Sequence, residues 1–316
     1  MLTFIIALAV GFSLLMWSAD QFVEHALQLD QHFHVSKYVI GIVVLGFGTS
    51  APELFVSAIS AWQGNPGLAI GNALGSNTTN ILLVLGVTLC IFPLYINARV
   101  LRKDFLLLLG ATALFTVLTL DHQLQLLDGV ILIIVLLAML YVLTTPEQNT
   151  TIQTEPKQVP TQKSLAAVLT GLALGLTILL LSSKLVVWGA ISIAELLNIN
   201  DLIIGLTVIA LGTSLPELAT CISSAMKKHS ELAVGNIIGS NIFNTLGVTG
   251  IASLITTYSV PHELYERDIP IMWIATIMLF LLAWVFIRTK IIPRAFGILF
   301  IIAYLSYMYL LYQQSL

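Results

Sequence analysis

Apolar residues run along this chain in stretches of about twenty, separated by short polar breaks, from one end to the other. A helix rises about 1.5 Å per residue and a bilayer's hydrocarbon core is about 30 Å thick, so each stretch is long enough to cross a membrane. The pattern predicts ten spans, over 2–18, 36–62, 67–92, 102–120, 125–143, 165–187, 200–226, 230–256, 268–288 and 292–312. Between the fifth and sixth lies "TTPEQNTTIQTEPKQVPTQKS" (Thr144 to Ser164), rich in Pro, Thr and Gln, which reads as a short flexible linker. The chain thus divides into a first five-helix unit (1–143), a linker (144–164) and a second five-helix unit (165–316).

The two units are copies. Shifting the sequence by 164 residues lays Gly11 on Gly175, Gly41 on Gly205, Thr49-Ser50 on Thr213-Ser214, Pro52 on Pro216 and Glu53 on Glu217. Further on, "LAIGNALGSNTTN" (Leu68 to Asn80) lands on "LAVGNIIGSNIFN" (Leu232 to Asn244) without a gap. Five spans is an odd number, so the second copy crosses the membrane in the opposite sense. Inverted repeats of this kind place a substrate site between the copies, near mid-membrane.

Composition agrees: 58% of the 316 residues are hydrophobic and 9% are charged, against roughly a quarter charged in a soluble domain. The first apolar run has no Lys or Arg ahead of it, and the first charge is Asp20, which argues against a cleaved signal peptide. With the N-terminus outside, Lys37, Arg99, Arg102, Lys103, Lys157, Lys163, Lys227, Lys228, Arg288, Lys290 and Arg294 all fall in cytoplasmic loops, and only Lys184 and Arg267 fall outside. That asymmetry puts both termini outside and the linker in the cytoplasm. Cys90 and Cys221 lie inside apolar helices and read as small buried hydrophobes.

The candidate chemistry sits in "GTSAPE" (Gly48 to Glu53) and "GTSLPE" (Gly212 to Glu217). About ten apolar residues flank each motif, so Glu53 and Glu217 lie near mid-membrane, where an ionised carboxylate costs at least about 2.5–3.5 kcal/mol. No Lys or Arg lies at matching depth to neutralise them. The counter-charge is therefore expected from outside the protein. Gly46, Gly48 and Pro52 should break the second span, freeing carbonyls near Gly46 to join the hydroxyls of Thr49 and Ser50. The third span offers Asn72, Ser76, Asn77 and Asn80, and the second copy repeats the set with Thr213, Ser214, Glu217, Ser240 and Asn244. An all-oxygen cage suits hard cations such as Na⁺ and Ca²⁺, whereas zinc or copper would want Cys or His. Asn72 and Asn77 read equally well as interhelical glue, and Gly71 and Gly75 as positions of close helix approach.

These paired motifs resemble the two alpha repeats of the sodium/calcium exchanger branch of the cation/calcium exchanger superfamily, over essentially the whole chain. The resemblance implies an all-α integral membrane protein of ten transmembrane helices, two inverted five-helix repeats with helices 2 and 7 broken. It implies ion sites between helices 2, 3, 7 and 8, with Glu53 and Glu217 at the centre. Thr49, Ser50, Ser76, Thr213, Ser214 and Ser240 would supply hydroxyls, Gly46 and Ala210 carbonyls, and Asn80 an amide. Asn244 stands where many members carry Asp, which leaves two acidic ligands and argues against potassium dependence. Exchange of three Na⁺ for one Ca²⁺, also implied by the resemblance, would move one net charge, worth about 2.3 kcal/mol per 100 mV.

The function so implied is antiport of Na⁺ against Ca²⁺ by alternating access, with helices 1 and 6 sliding past the core and Asp20 and Lys184 ending them. A proton-coupled Ca²⁺ exchanger on the same fold is the alternative, since a buried Glu also carries protons. A passive channel fits two broken, pseudo-symmetric helices less well. An intramembrane enzyme lacks a nucleophile and base apart from the oxygen cage. The transported ions are substrates and no cofactor is expected. The remaining partner is the lipid bilayer of a plasma (inner) membrane, with no nucleic acid and a monomer as the expected unit.

Overall fold

Two helices of 32 residues, α1 (Leu2–Phe33) and α7 (Leu165–Leu196), pack against each other in the computed structural model, which describes residues 1–33, 35–64, 66–95, 98–144, 163–197 and 210–314. The pair runs antiparallel: Phe4 and Leu8 lie against Gly189, and Phe22 lies against Gly175. These helices are equivalents under the 164-residue shift, so their opposed directions are what inversion of the second copy requires. Both outrun their predicted ends at 18 and 187. Asp20 therefore does not end α1, nor Lys184 α7. Lys227 Nζ lies 2.8 Å from Asp20 Oδ1, and Ser223 donates to the same oxygen at 3.2 Å. A carboxylate matched in this way can stay within a helix that continues past the membrane boundary.

The second span is bent. Its halves, α2 (Lys37–Thr49) and α3 (Ala51–Trp62), meet at 42°. Then follow α4 (Pro66–Ile91), α5 (Ala98–Leu118), α6 (Leu126–Thr144), and, beyond α7, α8 (Ala210–Thr213), α9 (Leu215–Met226), α10 (Ser230–Ile255), α11 (Leu264–Val285) and α12 (Ala295–Gln314). Among the described residues seven helices are long and apolar enough to cross a membrane, eight with the bent pair. The predicted span at 102–120 corresponds to α5, which opens on the charged run Arg102-Lys103-Asp104. The start of the seventh span, including Gly205, and linker residues 145–162 lie outside the described residues.

Burial separates core from lipid-facing helices. In α10 89% of the membrane-length stretch is buried and in α4 72%, against 22% in α6, α7 and α12. The polar sequences of α4 and α10 thus occupy the centre, while greasier helices face outward, the reverse of a soluble protein. Close approach at the centre rests on glycine. A Cβ on Gly41 would come within 2.7 Å of the Leu232 carbonyl, and one on Gly235 within 2.7 Å of the Tyr38 carbonyl. Without a hydrophobic drive between helices in lipid, such backbone contact is the main source of association. The counterpart contact in the first copy, Gly71 and Gly75 against residues 201–209, lies outside the described residues.

Two short sheets join the copies. β1 (Leu94–Tyr95) pairs antiparallel with β4 (Ile291–Ile292), and β2 (Gln123–Leu124) with β3 (Tyr258–Ser259). β1 and β3 are equivalent under the repeat shift, and each pairs with the loop between the last two helices of the other copy. The strands thereby clamp the two copies around the centre.

Candidate cation site

Both broken helices break in the same way. Ser50 leaves helical geometry at φ −83°, ψ 3°, and Ser214 at φ −91°, ψ 5°. Pro52 and Pro216 follow in the first positions of α3 and α9, where a missing N–H is harmless but a continuous helix would clash with the preceding turn. Each break puts a glutamate, Glu53 or Glu217, in the first turn of a fresh half-helix. The unpaired N–H groups and positive dipole end of that turn favour a negative charge.

The two breaks meet across the repeat boundary. Ser50 Oγ donates to Glu217 Oε1 at 3.4 Å, joining the first motif to the second. Thr49 Oγ1 lies 3.3 Å from Ser240 Oγ and donates to Asn236 Oδ1 at 3.2 Å. Ser240 Oγ donates to the Gly46 carbonyl at 3.3 Å. That carbonyl also accepts the Ser50 N–H at 3.2 Å, so the first half-helix keeps this bond instead of releasing it as the glycines suggested. A second lone pair on the carbonyl oxygen accommodates both donors.

The half-helix carrying Glu53 packs against the turn Phe243–Val248, and that carrying Glu217 against the turn Asn80–Val84. Both turns are π-helical, a local widening that often accompanies functional positions. Glu53 and Glu217 are 0% and 1% exposed. Both Glu53 oxygens, Glu217 Oε2, Ser214 Oγ, and the amide oxygens and nitrogens of Asn80 and Asn244 are buried with no hydrogen-bond partner. Buried polar groups are nearly always satisfied, so this many orphans among the predicted ligands points to a ligand that satisfies them. Ser76 is buried as well, Thr213 is half-buried, and Ala210 begins α8. The buried cluster holds two carboxylates and neutral oxygens, and no group of three or more Asp, Glu, His or Cys occurs among the described residues. Such a set fits a hard cation.

The other two asparagines of α4 make interhelical bonds through their amide nitrogens, while Asn77 Oδ1 is buried without a partner. Asn72 Nδ2 donates to Ser57 Oγ at 3.2 Å, and Asn77 Nδ2 to Thr245 Oγ1 at 2.7 Å. Asn236, the equivalent of Asn72, was not among the expected ligands, yet it touches Thr49 directly. The repeat shift held the available signal: Val56 and Ser57 beside Asn72 become Thr220 and Cys221 beside Asn236. Cys221 is buried as anticipated, but it has polar contacts, with Asn236 Nδ2 at 3.3 Å and the Ala233 carbonyl at 3.6 Å.

The family model described as sodium/calcium exchanger protein matches residues 3–145 and 167–313. The CaxA protein of Alkalimonas amylolytica is 39% identical, with 99% of each chain covered. Inner membrane protein YrbG of Escherichia coli is 34% identical over 98% of this chain and 96% of its own. Among solved structures, the sodium-calcium exchanger NCX_Mj superposes with a TM-score of 0.80 at 31% identity, covering 96% of this chain and 97% of that one.

Proposed function

The chain belongs to the sodium/calcium exchanger family, a family of multi-pass cation/calcium antiporters, and on that premise we propose that it exchanges Na⁺ for Ca²⁺ by alternating access. One observation carries this reading: Glu53 and Glu217 are buried at a shared centre with three of their four carboxylate oxygens unpartnered. Two facing carboxylates in a low-dielectric interior repel each other and lack hydration. A Ca²⁺ neutralises both at once, and Na⁺ ions do so by number. Competition for one cage is the simplest physical basis of obligatory exchange.

In this proposal the cage draws on Gly46, Thr49, Ser50, Glu53, Ser76, Asn80, Ala210, Thr213, Ser214, Glu217, Ser240 and Asn244. The chain carries ten transmembrane helices in two inverted repeats, 1–143 and 165–316, with a cytoplasmic linker at 144–164 and both termini outside. The unit is a monomer in the inner membrane. Glycine-backed contacts between α2 and α10 hold the core, while α1 and α7, which offer lipid most of their surface, are the elements that slide.

A charged catch between α1 and α9 bears on that sliding. Lys227 lies 2.8 Å from Asp20 and 4.0 Å from Glu24. The equivalent positions in the other copy are Gln63, Lys184 and Trp188, which cannot form it. Asp20→Asn and Lys227→Gln should each shift the initial uptake rate by about two- to fivefold, the range of a part-exposed pair. The double substitution should go no further than either one. Additive effects would separate the pair from gating.

The primary test is ⁴⁵Ca²⁺ uptake into proteoliposomes loaded with Na⁺ and diluted into Na⁺-free medium, beside a matched pH-gradient arm. Uptake that requires the Na⁺ gradient supports the proposal. Uptake driven by the proton gradient alone moves the protein to the proton-coupled reading, with Glu53 and Glu217 as the proton carriers.

A further inference from the structure

Beside the cage, Asn236 forms a polar junction whose direction is set by its neighbours. Thr220 Oγ1 donates to the carbonyls of Pro216 and Glu217, at 2.8 and 3.0 Å, so its proton is committed to its own helix. The Cys221 thiol is likewise directed at the Ala233 carbonyl. Both therefore face Asn236 as acceptors, and Asn236 Nδ2 donates to Thr220 Oγ1 at 2.9 Å and to Cys221 Sγ at 3.3 Å. The Glu217 carbonyl, 3.5 Å away, is a third acceptor on that side. A flipped carboxamide would turn its oxygen toward these committed groups. Asn236 Oδ1 must therefore face Thr49, whose hydroxyl donates to it at 3.2 Å and to the Leu45 carbonyl at 2.9 Å.

We infer that Asn236, locked by Thr220, is a positioning residue that keeps the Thr49 hydroxyl proton turned away from the cage and its lone pairs free for the cation. A hydroxyl has one proton and two lone pairs. The Leu45 carbonyl at 2.9 Å and Asn236 Oδ1 at 3.2 Å draw the proton to their side, in competition with Ser240 Oγ at 3.3 Å and the Glu217 carboxylate on the cage side, so the Asn236 oxygen biases the lone pairs inward. A flipped carboxamide would present N–H to Thr49 instead and occupy a lone pair that the cation needs. In the other copy Asn72 donates to Ser57, the equivalent of Cys221, and Val56 stands where Thr220 would be, so the Thr220 lock belongs to the second copy. The inference rests on Thr49 being a cation ligand, as in the proposed function.

The test compares Thr220→Val, isosteric without the hydroxyl, with Thr220→Ser, which keeps it, and with Thr49→Ala, by the Ca²⁺ dependence of ⁴⁵Ca²⁺ uptake in proteoliposomes. Thr220→Val should raise the half-saturating Ca²⁺ about fivefold, the worth of one hydrogen bond, with the maximal rate near that of the parent. Thr220→Ser should restore it. A purely structural role would lower the maximal rate or thermal stability instead, with no split between the two constants. If Thr49→Ala raises the half-saturating Ca²⁺ while Thr220→Val does not, the positioning role is overturned and the cage stands. If Thr49→Ala also leaves it unchanged, Thr49 is no ligand and the inference falls with that part of the proposed site.

Discussion

Glu53→Gln is expected to abolish Ca²⁺ uptake while leaving the protein folded and, without ions, more resistant to heating than the parent. Glutamine keeps the size and shape of the side chain and removes its charge. At about 4 Å and an effective dielectric near 20, a unit charge pair is worth about 4 kcal/mol, so a divalent ion losing one of two carboxylates should bind at least about a hundredfold more weakly. The gain in heat resistance has the same origin. Both Glu53 oxygens are buried without a hydrogen-bond partner beside a second carboxylate, and the larger, charge-dependent part of that cost is lost on substitution although the amide stays buried. Thermal unfolding across a Ca²⁺ titration reads both effects. The parent's midpoint should climb with Ca²⁺ as ligand linkage requires, and that of Glu53→Gln should start higher and stay flat. Glu217→Gln should behave alike, less markedly in heat resistance, because one Glu217 oxygen already accepts from Ser50. A variant still stabilised by Ca²⁺ as strongly as the parent would remove Glu53 from the cage.

Gly239→Ala should cost nearly as much activity through packing alone. An added Cβ would lie 2.8 Å from the Ile42 Cα and 3.0 Å from its carbonyl carbon, and backbone cannot step aside as a flexible side chain can. The helices α2 and α10 must separate there, one residue from Ser240 and its bond to Gly46. Overpacking of this kind costs about 1–3 kcal/mol in stability. A shift of about 1 Å at a site that demands aligned groups can cost about a hundredfold in rate. Uptake and melting temperature should therefore fall together, in contrast to Glu53→Gln, where they diverge. Gly110→Ala, on α5, is the control: a Cβ there would meet only the flexible end of Met139 at 3.9 Å among the described residues, so both quantities should hold. Equal losses at the two glycines would refute the steric account.

Those two substitutions differ in how far the sequence foretold them. Glu53 and Glu217 were legible because a membrane makes an uncompensated charge so costly that its presence, twice, implies a counter-ion. The breaks at Ser50 and Ser214 were legible for a similar reason, since proline cannot donate the bond that a straight helix requires. Gly239 was visible only as one of several small residues. That it meets the α2 backbone depends on the route of α2 past α10, and the pattern within α10 carries no information on that route.

Helix ends were legible where composition changes and not where partners decide. Asp20 looked like a boundary because a charge beside an apolar run normally meets water. Lys227, some two hundred residues away, lets α1 continue to Phe33 instead. Asn72 and Asn236 read identically within their motifs and bridge to equivalent residues, Ser57 and Cys221, yet only the fold shows that Asn236 also binds Thr220 and accepts from Thr49. The sequence by itself determined the membrane character, the duplication and the candidate oxygen donors, because each follows from local hydropathy, self-similarity or the chemistry of a residue type. Only the tertiary structure decided which oxygens face one another, which glycines carry the helix contact and which way Asn236 points, because hydrogen-bond direction and steric fit are properties of pairs brought together by folding.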